Sequence, residues 1–535
     1  MSNGPAVCGM LALTFGARSG KEEESMTVKG VRSFKLVVKP VFFAMEHQYY
    51  YEGPCRMASG DALEKGFDAI VNGKIYQGFD KAIEFNLRND ERFEVLEPAF
   101  ITMTDDWDLK EEWFEQALKD DARTDFYLIS TAFGANTAIE EFALRTAKPM
   151  GANPFKMFGQ LCFASSVRRG ADVIFALDWA ELKRKLLALR AEKVVRNANI
   201  LLAPRFGGDK AIAGGTDTFD SLNAVRDKLG TNFRYVNVHE LMDYMMPLPE
   251  GGNHTTPGRA TQNITPEEIA WCEELADELM SGASDCQVAR KFVVNSLIAY
   301  KVVNKMMDYY DCSGFAAPCP DACSTRRLNE QQFTFCLTHS LNLEQGIGSA
   351  CEYDVTAVLC MLIEMAVAGK AAYMGNTLPA PKAFDGSVNF SDAKYAVELP
   401  EDQRDNLYFT THSTPCRALH SFDELDEYTL RHFALDAGFG AIQRHDFNKD
   451  KGQVVTMIRI SSDCTQMFIG KGEIVAGFGF DSDNCNGGFL FRVNDINDFF
   501  AKHATFGLHL PVVYGDYVED FKMVAERLGL EPVIA

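Results

Sequence analysis

Strand-like and helix-like segments alternate through the first two-thirds of the chain, and that alternation limits the fold more than any other feature. Residues 34–43 (FKLVVKPVFF) and 93–103 read as strands. Residues 106–119 carry Trp107, Trp113, Phe114 and Leu118 at helical spacing, 126–132 returns to β, and 137–146 to helix. The pattern continues with a strand at 171–177, a long helix at 179–191, a strand at 198–203, a helix at 222–229 and a strand at 233–238. Strands separated by helices imply βαβ units and parallel sheets, and two such sheets fit, divided near residue 170. The Pro/Gly/Thr-rich stretch 247–261 (PLPEGGNHTTPGRAT) reads as a loop leading into helices at 266–280 and 284–307.

The last 150 or so residues change character. Segments 453–460, 466–469 and 473–480 are β-rich, with turn signals at 470–472 and 481–488, and a helix at 517–528 closes the region. The expectation is an α/β chain with two parallel-sheet domains and a β-rich, barrel-like C-terminal domain. The boundaries are a loosely ordered lead-in over 1–30, α/β domains over 31–170 and 171–350, and the β-rich domain over 351–535. A length of 535 residues agrees with three domains of roughly 100–200 residues each.

Charge and cysteine usage narrow the function. A formal charge of −22 argues against nucleic acid or an anionic membrane as partner, since both demand clustered Lys and Arg. Many of the 14 cysteines, among them Cys162, Cys336, Cys351 and Cys360, stand in apolar runs, as reduced thiols of a cytoplasmic protein do. No run of about 18 apolar residues predicts a membrane helix. Residues 5–16 are apolar but lack a basic segment ahead of them, so no secretory signal is expected. The phosphate-cradling, dinucleotide, zinc-peptidase and serine-hydrolase motifs are absent.

The chemistry concentrates in residues 349–377, SACEYDVTAVLCMLIEMAVAGKAAYMGNT. Ser349 with Glu352 three positions on reads as a capping box for an apolar helix that Gly369 ends, followed by a short strand at 370–374 and Gly375–Asn376. Glu352 at a helix start and Asn376 at a strand end would both face the ligand crevice of an α/β fold. The plain alternative is that Glu352 only caps its helix and Asn376 only turns the chain.

This run resembles the segment of the L-fucose/L-arabinose isomerase superfamily in which a glutamate opens a helix and an aspartate follows at the position of Asn376. Two further segments strengthen the resemblance. His412 in YFTTHSTP is similar to a metal-ligating histidine of arabinose-isomerase relatives. His509 in GLHLPVVYGDY matches the second histidine of a C-terminal HH-x-x-x-x-YGD pattern, with Leu508 in place of the first. The resemblance implies two Rossmann-like domains and a β-rich C-terminal domain, and a divalent metal, usually Mn2+ although Zn2+, Mg2+ or Co2+ also suit, held by Glu352, Asn376, His412 and His509. It also implies a homotrimer or homohexamer with shared active sites, and aldose–ketose isomerisation of a free sugar (a deoxyhexose, pentose or modified hexose) through an enediol.

Glu352 and Asn376 fall on the catalytic positions. Asn376 departs from the pattern: its carbonyl can ligate a hard cation, but it cannot act as a carboxylate base. Asp446 or Asp516 could replace that carboxylate, or the chain could be a sugar-binding relative, a lyase or an epimerase. Asp354, two positions beyond Glu352, would point away from it on a helix and at most support it from behind.

Substrate contacts are expected from His47, Gln48 and Arg56 in the loop after the first strand, and from Arg326 and Arg327 beside Pro318 and Pro320. Cys312, Cys319, Cys323 and Cys336 lack the paired spacing of a structural zinc site. Residues 481–488 (DSDNCNGG) mimic a calcium loop with its glycine misplaced, and read as a hairpin turn.

Overall fold

The computed structural model describes residues 28–47, 66–104, 109–132, 136–155, 157–206, 208–211, 215, 217–248, 262–323, 325–380, 399–400, 403–433 and 438–535. Most of the lead-in and of the 247–261 loop lie outside them.

The run FKLVVKPVFF forms the centre of the first sheet. Strand β1 (Leu36–Glu46) pairs in parallel with β2 (Phe93–Val95), β3 (Ala99–Thr104) and β4 (Phe126–Ala132), and β5 (Met150–Ala152) adds to β4. Nine consecutive buried residues are what a strand covered on both faces requires. Leu36, Val38, Phe42 and Ala44 enter one core and Val41 and Phe43 the other, following the two-residue alternation of a strand.

The strand expected at 171–177 is reduced to a single bridge between Val173 and Met150. The reason is local: Gln160 binds both the N–H and the carbonyl of Ala176 through its side chain, and Glu181 accepts from the Leu177 N–H. The backbone groups a neighbouring strand would use are already taken.

The second sheet is also parallel. It comprises β6 (Asn199–Leu202), β7 (Asn232–Tyr235), β9 (Gly314–Ala316) and β10 (Gly348–Ala350), in the order β10-β9-β6-β7. Strand β8 (Asp285–Cys286) leaves it to join a small sheet with β13 (Tyr428–Arg431) and β14 (Ile442–His445).

The C-terminal region contains a closed antiparallel barrel of six strands. They are β11 (Tyr373–Pro379), β12 (Leu407–His412), β15 (Val454–Ile460), β16 (Gln466–Phe478), β17 (Gly487–Arg492) and β18 (His509–Tyr514). The ring runs β15-β18-β11-β12-β17-β16 and returns to β15, while the final β19 (Glu531–Ile534) lies parallel to the start of β16. The chain is therefore mixed α/β, with two parallel sheets and a barrel. Among the described residues no helix is long and apolar enough to cross a membrane.

Two expectations fail here for reasons of packing. The turn expected at 470–472 is absent, and β16 runs straight through it. A Cβ at Gly470 would meet the Phe468 and Phe499 rings within 2.8 Å, and one at Gly472 the Phe491 ring at 2.6 Å. These glycines make room for aromatic rings. The capping box also fails. Ser349 lies on β10 with its hydroxyl bound to His339 and Asn342, and the helix Val355–Ala368 is capped by Asp354, which accepts from the Ala357 N–H. Gly369, at φ 69°, ends that helix as expected.

The same helix buries Glu364 completely, and neither carboxyl oxygen makes a well-formed hydrogen bond. Burial raises its pKa well above the usual carboxyl range, with the backbone of Ile458 opposing only in part. A group whose folded value is raised binds more protons in the native state, so its contribution is complete below the unfolded value and is lost as pH rises through the folded one. Glu364→Met is expected to stabilise the protein by about 1–3 kcal/mol at neutral pH and to flatten that alkaline loss. Denaturant midpoints of the two proteins across pH check this, and an unchanged slope would refute it.

Candidate metal centre

The centre is built where β10 hands over to the helix Val355–Ala368 at one end of the barrel. Glu352 and Tyr353 both adopt the left-handed region, each at φ 57°. Two successive non-glycine residues there cost on the order of 1–3 kcal/mol each and persist only where surroundings hold them. Here the Tyr353 N–H donates to Ala317 O at 2.9 Å, the Gly215 N–H donates to Glu352 O at 2.8 Å, and the Tyr353 ring is fully buried. The strained pair ends the strand, turns the Glu352 carboxylate toward the barrel and delays the helix start to Asp354.

Two histidines meet that carboxylate from strand ends. His412 closes β12 and His509 opens β18, the two neighbours of β11 in the barrel. His412 Nε2 lies 3.6 Å from Glu352 Oε1 and His509 Nε2 lies 3.5 Å from Oε2. The rings meet edge to face with centroids 5.9 Å apart. Both imidazoles are buried, and neither Nε2 has a hydrogen-bond partner. Burial alone would raise the Glu352 carboxyl, but the neighbouring His412 and His509 imidazoles bring it below its ordinary value. Burial lowers His412 despite Glu352.

Asn376 lies in the middle of β11 rather than at a strand end, opposite both His509 and Thr411 in register. Its Oδ1 is buried and unpartnered.

The back of His509 is fully engaged. Its Nδ1 hydrogen-bonds Asp354 Oδ2 at 2.8 Å, and Arg459 grips Asp354 with Nη1 at 2.7 Å and Nη2 at 3.1 Å. Asp217 joins from the loop after β6, accepting from the His509 N–H at 3.2 Å and lying 3.2 Å from Arg459. The carboxylate fixes the tautomer with its proton on Nδ1, leaving the Nε2 lone pair directed at Glu352. Burial alone would lower His509, and Asp354, Asp217 and Glu352 together raise it.

The donor set fits a divalent cation. Metal–N and metal–O bonds of about 2.0–2.2 Å place neighbouring ligand atoms roughly 3–3.5 Å apart, near the observed spacing. Glu352, His412 and His509 therefore form the better candidate centre. Asp217, Asp354 and His509 also lie within 4.8 Å of one another, but Arg459 already neutralises that group.

Compared with known families the chain matches no family model, and no curated protein matches its sequence.

The remaining expected residues are placed elsewhere. His47 follows β1 and binds Asp68 at 2.9 Å, whereas Gln48 and Arg56 lie outside the described residues. Arg326 is 90% exposed and pairs with Glu330, and Arg327 pairs with Asp243. Asp446 caps the short turn Phe447–Asp450, and Asp516 pairs with Lys471 beyond the end of β18 opposite His509. Residues 481–486 connect β16 to β17, in keeping with the hairpin reading.

Asp354 departs most from expectation. It sits directly behind His509, because Glu352 and Tyr353 are not helical and the helical angle between positions 352 and 354 does not apply. Asp217 and Arg459 escaped the sequence reading. The signal for Asp217 was its place in a Gly/Asp/Thr-rich loop at the C-terminal end of a parallel strand, where such folds gather ligand groups. For Arg459 it was a single cation inside the apolar strand VVTMIRI.

Proposed function

We propose that the protein is a metal-dependent aldose–ketose isomerase acting on a free sugar through an enediol. The observation that carries the reading is the convergence of two buried, unpartnered imidazole nitrogens on Glu352, with His509 held in one tautomer from behind. Glu352, His412 and His509 would hold the cation, with the Asn376 carbonyl as a further oxygen donor. A divalent ion bound there supplies Lewis acidity toward adjacent substrate oxygens and lowers the cost of enediolate charge. Mn2+ is the first choice for this mixed N/O set, and Zn2+, Mg2+ and Co2+ are the alternatives.

The Glu352 carboxylate is a quarter exposed, below its usual pKa, and so ionised and open to substrate. It takes the proton from C2 as general base and returns it to C1 as general acid. Asn376 cannot share this task, so one carboxylate carries both halves of the transfer. The same substitution supports the second reading, a sugar-binding relative, or a lyase or epimerase using related enolate chemistry.

The surrounding architecture agrees with this assignment: we read the two parallel-sheet units as Rossmann-like. Exposed Phe155, Leu161, Leu177 and Phe206 suit burial between subunits of a trimer or hexamer, and free, largely buried thiols suit the cytoplasm.

The test is exchange of the C2 proton of an aldose panel into D2O, followed by NMR with Mn2+ and then with a chelator. Metal-dependent exchange that Glu352→Gln reduces by roughly 100–10,000-fold, the contribution of a single general base, is the expected result. Sugar binding without exchange at any metal loading would favour the binding-protein reading.

A further inference from the structure

Two imidazoles and two carboxylates join into a closed ring at the other end of the barrel. His420 Nδ1 lies 2.9 Å from Asp426 Oδ1, and its Nε2 lies 3.4 Å from Asp450 Oδ1. Asp450 Oδ2 lies 2.6 Å from His445 Nε2, and His445 Nδ1 lies 3.8 Å from Asp426 Oδ2. Each imidazole spans both carboxylates, and each carboxylate spans both imidazoles. The Tyr514 hydroxyl adds to the ring by donating to Asp450 Oδ2 at 2.6 Å. His445, Asp450 and Tyr514 are buried, whereas His420 is 42% exposed and gives the ring access to solvent.

The ring fastens one stretch of chain to the barrel base. His420 and Asp426 belong to residues 417–426, whose ends are tied by the Asp426 N–H donating to Arg417 O at 2.6 Å. Their ring partners come from elsewhere: His445 ends β14, Asp450 ends the turn Phe447–Asp450, and Tyr514 ends β18, the strand that His509 opens. The ring shares no residue with the Glu352–His412–His509 centre.

Proton counting accounts for the unequal edges. A carboxylate only accepts, so every edge needs a proton on its imidazole nitrogen. His445 Nε2 faces Asp450 at 2.6 Å, and its proton belongs there. A neutral His445 then turns the lone pair of Nδ1 toward Asp426 Oδ2, and both of these atoms are buried without a hydrogen-bond partner. Two acceptors facing each other across 3.8 Å are joined only by adding a proton. The same arithmetic applies to His420, whose Nδ1 serves Asp426 and whose Nε2 can serve Asp450 only as the imidazolium.

The surroundings favour that second proton on His420. Its hydrogen bond to Asp426 raises its pKa, with the charges of Asp426 and Asp450 adding to this and burial and the charge of Lys370 opposing it. The Tyr514 ring at 5.0 Å and the His445 ring at 6.1 Å also face it. Around His445 stand Asp426, Asp450, the Phe447 ring at 4.8 Å and Tyr428, its register partner on β13. Burial alone would raise Asp450, and His445, Tyr514 and His420 bring it below its usual value. A raised imidazole contributes stability that is complete below its unfolded value, about 6.5, and is lost as pH rises through the folded one. The lowered Asp450 acts in the opposite sense, and only below about 3.9.

We propose that the Asp426–His420–Asp450–His445 ring is a proton-operated clasp, closed when both imidazoles carry two protons and opened by proton loss, that holds residues 417–426 against the base of the barrel. The clasp does not depend on the isomerase reading.

The experiment uses the full chain and follows amide hydrogen exchange of residues 418–426 by mass spectrometry. Protection is compared at about pH 6 and about pH 9, either side of the ordinary histidine value, after correction for unprotected exchange. It should fall by about 10-fold or more at the higher pH, as loss of a hydrogen bond to a charged group implies, while β15 and β16 keep theirs. His420→Gln replaces a partly exposed side chain and cannot take up the proton, so protection should already be low at about pH 6 and change little. In the wild type the imidazole NMR signals of His420 and His445 should titrate in coupled steps, and His445→Gln should leave His420 a single-step curve. Equal protection of wild type at both pH values would overturn the clasp. So would the wild-type pH dependence surviving in His420→Gln, or independent one-step titration of the two imidazoles in the unmodified protein.

Discussion

Asp354→Ala is expected to weaken divalent-cation binding at the Glu352–His412–His509 centre by about 10–100-fold, and to cost about 3–5 kcal/mol of stability. Three roles end together. Asp354 caps the helix Val355–Ala368, fixes the tautomer of His509 and neutralises Arg459, whose side chain is fully buried. Asp354→Asn separates them, because an amide still caps the helix and accepts from His509 but carries no charge for Arg459. The Asn variant should therefore retain more metal affinity than the Ala variant while remaining destabilised.

Acid provides a second handle on the same residue. Burial alone would raise the Asp354 carboxyl, but the Arg459 charge and the His509 hydrogen bond hold it well below the usual range. A depressed folded value contributes stability that is complete above the unfolded pKa, about 3.9, and is lost as pH falls toward the folded one. Wild type should lose stability through that acid window, and Asp354→Asn should lose less over the same interval. Calorimetric metal titration and denaturant midpoints from pH 7 to 3 measure both effects. Equal metal affinity in wild type and Asp354→Ala would show that His509 needs no support from behind.

Glu344→Ala should be as damaging to the fold, again by about 3–5 kcal/mol, because it strands a buried guanidinium. Glu344 accepts from the Arg417 N–H, Nε and Nη2 at 2.9, 2.9 and 2.7 Å, and from Gln443 Nε2 at 2.8 Å. Arg417 lies over the Tyr428 ring at 4.8 Å and belongs to the segment that leaves the barrel after His412. Burial alone would lower the Arg417 pKa, and Glu344 more than reverses it. The double variant Glu344→Leu with Arg417→Met should recover much of the loss, because removing both charges leaves neither uncompensated. A midpoint for Glu344→Ala within about 0.5 kcal/mol of wild type would place the pair among the weak surface bridges.

What could be read from the chain followed the range of the interactions involved. Strand β1 announced itself because a strand buried on both faces must be apolar throughout. The helix expected at 179–191 is present and runs Trp179–Asn197, with the Asp178 side chain capping its start. His412 and His509 stood out in their local segments, and the structure brings both to Glu352.

The handover from β10 was not. A capping box predicts helical geometry at Glu352, and only contacts with Ala317 and Gly215 hold that residue left-handed instead. Gly470 and Gly472 misled for the converse reason: turn chemistry is local, whereas the Phe468, Phe491 and Phe499 rings they admit are set by barrel packing. Strand β19 passed unnoticed because four residues with one proline carry no periodic signal, and its partner at Gln466–Ile469 lies far back in the chain.

The candidate centre also sets a timetable for synthesis. Asp217 and His509, which share a hydrogen bond, are separated by 292 positions. Strand β18, which carries His509, must insert between β15 and β11 for the barrel to close. A nascent chain still lacking its last strands has Glu352 and His412 but not His509, and Arg459 and Asp354 have no imidazole to orient. A cation taken up at this candidate centre would be held only after the C-terminal segment leaves the ribosome and docks, so metal retention would then separate finished molecules from incomplete ones.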